Sequence, residues 1–328
     1  MDNHRETSAD TDTLQQSYAY GDSILGVDGH KEPLKTYLFG YPIAHSKAPA
    51  LHSSICRILG VPWTYTLFES TNKSDFLPTL KAVDCIGAAV TMPHKIPFMS
   101  EVDHLTEEGS MIGAINTVFM RKDSEGGTRY IGTNTDCIGV REAFFQNYPN
   151  ITTRSNGAAA LVIGGGGAAR SAVYALWKWM GSSKIYLVNR LKPEVDAIID
   201  LFADTNFDAE LIHVASVEQA SKLEAPVVVV GTVPDIIPET PGEILAQDIV
   251  RVFMEKESKG VVLEMCYHPS PATAFFTLAA DNGWEVLPGT QPMIYQGIAQ
   301  QVLWQERPLS EFDVGRINQS VAEALKAH

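Results

Sequence analysis

Residues 160–170 read Ala160-Leu-Val-Ile-Gly-Gly-Gly-Gly-Ala-Ala-Arg170. A short apolar, β-branched run ends in four glycines, and a helical pattern follows from Ala168 through Trp179. Strand, glycine turn and helix in that order are the setting in which a glycine motif signals dinucleotide binding. Glycines let the backbone turn tightly and approach a pyrophosphate, and the helix N-terminus adds free N–H groups and a positive dipole end. Gly164, Gly166, Gly167 and Ala168 are the candidate contacts. The last glycine of G-x-G-x-x-G is Ala169 here, so the match is to the looser G-x-G-x-x-A form. The next strand, Lys184 to Val188, ends in Asn189-Arg190. That lies about 20 residues on, where a Rossmann unit places its ribose-reading group. A glycine-rich turn in an unrelated α/β domain would share the first feature and not the second.

The motif sits in mid-chain, so a second unit precedes it. A chain of 328 residues fits two domains, and 45% hydrophobic with 20% charged residues is ordinary for a globular protein. The net charge of −14, with no basic cluster to offset it, argues against nucleic acid as a partner. Cys56, Cys85, Cys137 and Cys266 are scattered with no C-x-x-C pair, which reads as buried thiols in a reducing compartment. No apolar run approaches the ~18–20 residues of a membrane span. The N-terminal stretch is polar and acidic, without a signal-peptide core. The expectation is a soluble cytoplasmic protein that engages no membrane.

Residues 1–34 are rich in Asp, Ser and Thr and read as a mobile tail, with a short helix around Leu14–Tyr20. Strands are expected at Lys35–Gly40, Trp63–Phe68 and Ile86–Thr91, with helices from Pro49 to Leu59 and Asp75 to Val83 between them. Such alternation implies a parallel-rich sheet with function at the strand C-termini. Ser46 and Lys95 both follow such strands. Gly113–Met120 reads as a further strand, residues 123–128 as a hairpin-type turn and Val140–Asn147 as a helix. From Ala158 the pattern is βαβ, and Pro292–Trp304 and Ser310–Lys326 are helical. The expected division is a substrate domain at 35–137 plus about 290–328, and a Rossmann domain at 138–289. The C-terminal helices would return to the first domain and close a cleft.

Several motifs then stand in order: Gly-Tyr-Pro-Ile-Ala-His-Ser-Lys at 40–47, Val-Thr-Met-Pro-His-Lys at 90–95, Gly-Ala-Ile-Asn-Thr-Val at 113–118 and Gly-Thr-Asn-Thr-Asp-Cys-Ile-Gly at 132–139. The glycine turn, Asn189-Arg190, Glu264-Met-Cys-Tyr267 and Gln296-Gly297 follow. Together, over residues 36–305, they resemble the shikimate/quinate dehydrogenase family, and the Gln-Gly-Ile-Ala-Gln-Gln ending is most similar to its fungal quinate-oxidising branch.

The resemblance implies NAD(P)-dependent oxidation of quinate, and of shikimate, to the 3-dehydro acid. Oxidising a secondary alcohol removes a hydride and a proton together, and the proton needs an acid/base group within hydrogen-bond reach. A partly desolvated Lys95, held by a proline turn, suits that task, with Asp136 to orient it. By resemblance these two are the catalytic pair; from spacing alone they read equally as a surface lysine and a helix cap. By resemblance Ser46 contacts the substrate carboxylate, Thr91, Asn116 and Gln296 bond ring hydroxyls, and Tyr267 lies near the carboxylate. Asn189, Arg190, Thr232 and Gly289 join the glycines as cofactor contacts. His45 and His94 have no second ligand spaced for a metal, and no metal is expected.

The chain departs from the family pattern at Ala48, where a second serine is usual, and at Glu264, where aspartate is usual. Gln291 and Gly231 also depart from it. For the cofactor, Arg190 can pair with a 2′-phosphate, while Leu191 and Glu194 disfavour one. The expected cofactor is NAD, with some NADP activity. A catalytically silent sensor on the same fold is the rival from another class.

Overall fold

The computed structural model describes residues 9–326. The chain divides into two α/β units. One comprises residues through Ser110, Ile115–Thr135 and the chain from Gln296; the other comprises Met111–Ala114 and Asp136–Tyr295.

The first unit holds strands β1 (Lys35–Gly40), β2 (Thr64–Glu69), β3 (Cys85–Val90), β4 (His104–Leu105), β5 (Thr117–Lys122) and β6 (Thr128–Thr133). Their order is β2-β1-β3-β5-β6-β4. β1 pairs in parallel with β2 and β3, but β5 runs antiparallel to both β3 and β6. The three strands expected to alternate with helices run parallel, as does β4 beside β6, and β5 makes the sheet as a whole mixed. β5 is turned against β3 by the segment between them, and the 123–128 turn, where Asp123 Oδ1 accepts the N–H groups of Glu125 (2.9 Å) and Gly127 (2.7 Å), folds β6 back on β5. Gly126 there takes φ +85°, open to glycine at little cost.

β3 is buried along its whole length. One face packs Phe39, Phe76 and Phe98, with Phe39 and Phe76 stacked at 4.5 Å. On the other face Trp304 donates Nε1–H to Val118 O at 3.0 Å. A Cβ at Gly87 would collide with that indole, so the glycine is what lets the ring lie against the sheet. The helix Val314–Lys326 packs on Ala48–Leu59, where Arg57 donates to Ser320 Oγ at 2.7 Å.

The reading of residues 1–34 as a mobile tail does not hold where the chain is described; residues 1–8 lie outside the described residues. A helix over Ala9–Ser17 and a short 3-10 turn over Tyr18–Tyr20 lead into an ordered strap. Leu14 and Ser17 are buried. Arg121, 1% exposed, donates to Ser17 Oγ at 2.5 Å and pairs with Glu306 at 3.4 Å. Glu306 in turn accepts from Ile24 N (3.1 Å) and Tyr18 OH (3.0 Å). Trp63 Nε1 donates to Gly29 O at 3.3 Å. The physical reason is a buried charge: Arg121 cannot stay desolvated without acceptors, and the strap helps to supply them. Local composition hides this because the partners lie far away in sequence.

The second unit holds β7 (Ala159–Ile163), β8 (Lys184–Val188), β9 (Glu210–His213), β10 (Val228–Gly231), β11 (Val261–Glu264) and β12 (Glu285–Leu287). Every pairing is parallel, in the order β12-β11-β10-β7-β8-β9. β7, β10 and β11 are buried throughout, as befits a parallel sheet covered on both faces. The order reverses between β7 and β10, the point at which a doubly wound sheet binds its ligand.

Candidate active site

Sheet topology alone gathers the substrate-side candidates of the first unit. β1 and β3 are parallel neighbours, so the loops after them, which carry Ser46 and then Thr91 and Lys95, leave the same edge. β5 is antiparallel to β3, so Asn116, just before β5, lies at that edge too; Val90 N donates to Asn116 O at 2.7 Å. β6 returns antiparallel to β5, and Asn116 N donates to Thr133 O at 3.1 Å. Thr135 therefore ends up beside Asn116.

The two loops are tied down locally. Thr91 N donates to Phe39 O at 2.8 Å, and a Cβ on Gly40 would strike the Thr91 methyl. Glu69 Oε1 accepts Ile43 N at 2.6 Å and Ala44 N at 3.1 Å, which shapes the approach to Ser46. Ser46 Oγ accepts Ala48 N at 3.3 Å. Lys95 is half-buried, and its carbonyl accepts Ile115 N at 2.8 Å. His94, given no role from the sequence, is buried against Phe76, with Nε2 2.8 Å from Ser70 O.

Asn116 is 3% exposed. Its Oδ1 accepts Thr135 N (2.7 Å) and Thr117 Oγ1–H (2.8 Å). Its Nδ2 faces Thr135 Oγ1 (3.0 Å) and Gln296 Oε1 (3.3 Å). Gln300, one turn beyond Gln296, donates to Thr117 Oγ1 at 3.0 Å. Asn116 and Gln296 are thus brought together as a polar cluster. Thr135 belongs to it and was missed from sequence; the signal was its position directly before Asp136. Asp136 itself is the first residue of the helix Asp136–Asn147 and is 9% exposed. The helix begins four residues ahead of the expected Val140, so the aspartate opens its first turn.

In the second unit the nucleotide candidates follow the C-termini of parallel strands. Gly164 has φ +128°, and its N–H donates to Val188 O at 2.9 Å. A Cβ there would strike Thr232 Oγ1, and one on Gly165 would run into Asn189 and Glu194. Gly166 caps the helix Gly167–Lys178 with no side-chain hydrogen bond. A cradle that side chains would fill, opening on a twelve-residue helix N-terminus without a side-chain cap, fits a pyrophosphate. Thr232 Oγ1 donates to Ile163 O at 2.8 Å, which joins β10 to the turn. Gly289 lies against the Met265 and Cys266 carbonyls, where a Cβ would not fit.

Beyond β8, Asn189 Nδ2 donates to Glu194 Oε2 at 2.6 Å. The Arg190 guanidinium is ion-paired with Glu243, at the start of the helix Pro241–Glu255. Nothing in the local sequence pointed to Glu243, which is 53 residues further on.

Tyr267 is half-buried in the loop after β11. Glu264, which ends β11, anchors that loop: Oε1 accepts Cys266 N at 2.8 Å and Oε2 accepts Thr273 Oγ1–H at 3.1 Å. Burial pushes the Glu264 carboxyl up to about 7, and Asp235 adds to the rise. Cys56, Cys85 and Cys137 are buried, whereas Cys266 is half-buried, with its thiol donating to Val233 O at 2.9 Å.

A family model described as the shikimate dehydrogenase substrate binding domain matches residues 38–118. The chain is 40% identical over 314 residues to the quinate dehydrogenase of Emericella nidulans, covering 89% of this chain and 95% of that one. Dehydroquinate dehydratase and shikimate dehydrogenase from S. pombe AroM matches with a TM-score of 0.71 at 30% identity, over 94% of this chain and 56% of that longer one. Shikimate 5-dehydrogenase from Thermus thermophilus, solved with NADP(H) and shikimate, matches with a TM-score of 0.68 at 25% identity, over 89% and 99% of the two chains. With its motifs in order, its two α/β units and a relative matched over nearly its full length, the chain belongs to the shikimate/quinate dehydrogenase family.

Proposed function

We propose that the protein oxidises quinate, and shikimate as a second substrate, reversibly to the 3-dehydro acid, with NAD as its preferred cofactor and NADP as a poorer one. The observation that carries the reading is the Asn116–Thr135–Gln296 cluster at the sheet edge that also carries Ser46, Thr91 and Lys95. A polyhydroxylated ring acid needs several convergent polar groups, and a bare α/β fold does not require them. The Emericella nidulans relative adds the substrate class.

The Lys95 amine takes the proton of the reacting hydroxyl, and Asp136 orients that hydroxyl. Asn116 turns the Nδ2–H that faces Gln296 Oε1 to a ring oxygen, Thr91 and Gln296 hold further hydroxyls, and Ser46 and Tyr267 meet the carboxylate. When bound, NAD(P) supplies the hydride acceptor. Gly164, Gly166, Gly167, Ala168 and Thr232 would hold its pyrophosphate side, with Asn189 and Arg190 towards the ribose and Gly289 on the nicotinamide side. The lean to NAD rests on Leu191 and on the Glu194 carboxylate beside Asn189, which disfavour a 2′-phosphate. Four free cysteines suit a cytosolic setting.

The test is an assay of quinate and shikimate against each nicotinamide cofactor. Turnover of quinate with NAD at the highest kcat/KM is expected. No turnover in any of the four combinations would favour a silent sensor. An NADP preference above tenfold would overturn the cofactor reading alone.

A further inference from the structure

We propose that Glu243, far in sequence from the glycine turn, is a cofactor-specificity residue that keeps Arg190 from serving a 2′-phosphate. The proposal deepens the NAD reading above and rests on it. Arg190 follows β8, where a guanidinium would pair with the 2′-phosphate of NADP. In this chain that guanidinium already meets a carboxylate held in a fixed place.

Glu243 stands at the third position of the helix Pro241–Glu255, in a capping box with Thr240. Its Oε2 accepts the N–H groups of Thr240 (2.9 Å) and Glu239 (3.1 Å), and Thr240 Oγ1 accepts Glu243 N at 3.3 Å. Oε1 is left for Arg190. The backbone N–H groups hold this carboxyl down to about 2, so it stays charged wherever the enzyme works. A Cβ on Gly242 would come within 2.8 Å of Arg190 O, so the helix start sits close against the arginine backbone. Neither partner needs to move for the pair to form.

The surrounding charges point the same way. Glu194 occupies Asn189 at 2.6 Å, and Lys192 is paired with Asp196 at 2.6 Å. A helix N-terminus attracts anions, but here Glu243 supplies the negative charge itself. A 2′-phosphate would meet two carboxylates and a guanidinium already matched. A ribose 2′-hydroxyl carries no charge to repel and can donate to either carboxylate.

The full-length protein and three variants, Glu243→Gln, Arg190→Ala and the double, would be titrated calorimetrically with adenosine 2′,5′-bisphosphate and with adenosine 5′-monophosphate. Glutamine can keep the capping box, because its amide oxygen also accepts the Thr240 N–H. Glu243→Gln is expected to tighten the bisphosphate about tenfold, the scale of one charge-assisted hydrogen bond, and to leave the monophosphate within about twofold. The double variant is expected to lose that gain, and the NADP/NAD ratio of kcat/KM is expected to follow it. If the wild type binds monophosphate as well as or better than bisphosphate and Glu243→Gln changes neither, the proposal fails while the NAD reading stands. If the wild type already prefers the bisphosphate and NADP, both fail. A gain that survives loss of Arg190, or a variant that weakens both ligands alike, also overturns the proposed role.

Discussion

Thr117 Oγ1 donates to Asn116 Oδ1 at 2.8 Å, so a candidate substrate contact is aimed by its own neighbour in the chain. Thr135 N donates to the same oxygen at 2.7 Å. With Oδ1 doubly used, the amide presents its Nδ2–H donors on the side of Gln296. Thr117→Val keeps the shape and removes the hydroxyl. It is expected to raise KM for quinate about tenfold, the scale of one lost hydrogen bond, with a smaller effect on kcat. Asn116→Asp replaces the donor by an acceptor and is expected to lower kcat/KM about a hundredfold. An unchanged KM in Thr117→Val would show that the amide needs no such alignment.

Ala48 stands where the family usually has a second serine. It is buried, at the first turn of the helix Ala48–Leu59, and its N–H donates to Ser46 Oγ. The Ser46 hydroxyl therefore keeps its proton to donate to a carboxylate. Under the proposed function, a methyl at Ala48 would leave room for the extra ring hydroxyl that quinate carries beside its carboxylate and shikimate lacks. Ala48→Ser is expected to shift the kcat/KM ratio towards shikimate by roughly tenfold. Parallel kinetics on the two acids check this, and an unmoved ratio would remove Ala48 from substrate choice.

One buried ion pair is among the anchors of the strap over residues 14–30. Arg121 and Glu306 are 1% and 5% exposed. Removing one partner strands a buried charge, at a cost on the order of 3–5 kcal/mol. Arg121→Met is expected to lose that much stability in urea denaturation, and Arg121→Met with Glu306→Gln to regain a large part of it. Equal losses in the single and the double would mean that the stranded carboxylate is not the cause.

Features set by short-range pattern were legible in the sequence. The apolar run 159–163, its glycines and the helix after them read directly, because strand period, turn chemistry and helix period all lie within twenty residues. Features made by distant partners were not. The strap looked disordered because Ser17 meets Arg121 104 positions away. Thr135 gained meaning only once the register of β5 and β6 set it beside Asn116. Glu243 gained meaning only once its helix docked against Arg190. Ser46 and Lys95 read correctly as residues after strands, while Thr91, expected inside a strand, follows β3; their shared edge comes from the order β2-β1-β3-β5, which no local window contains.

Glu264 gives a pH signature. Its carboxyl rises from 4.5 to about 7 in the fold, chiefly through burial. The native protein therefore holds a proton that the unfolded chain has released, and the linked stability, present below pH 4.5, is lost as pH climbs to about 7. The loss is on the order of 3 kcal/mol. Unfolding free energies measured across that window are expected to fall in the wild type and to stay flatter in Glu264→Gln. Parallel curves for the two proteins would mean that Glu264 does not titrate in that range.

The most direct measurement is the quinate-dependent reduction of NAD by Lys95→Met, with quinate affinity read separately by calorimetry. General acid–base catalysis contributes ~10²–10⁴ in rate. The account predicts that kcat falls at least that far while quinate binds within about threefold of the wild type. A variant that turns quinate over at near wild-type kcat would contradict it.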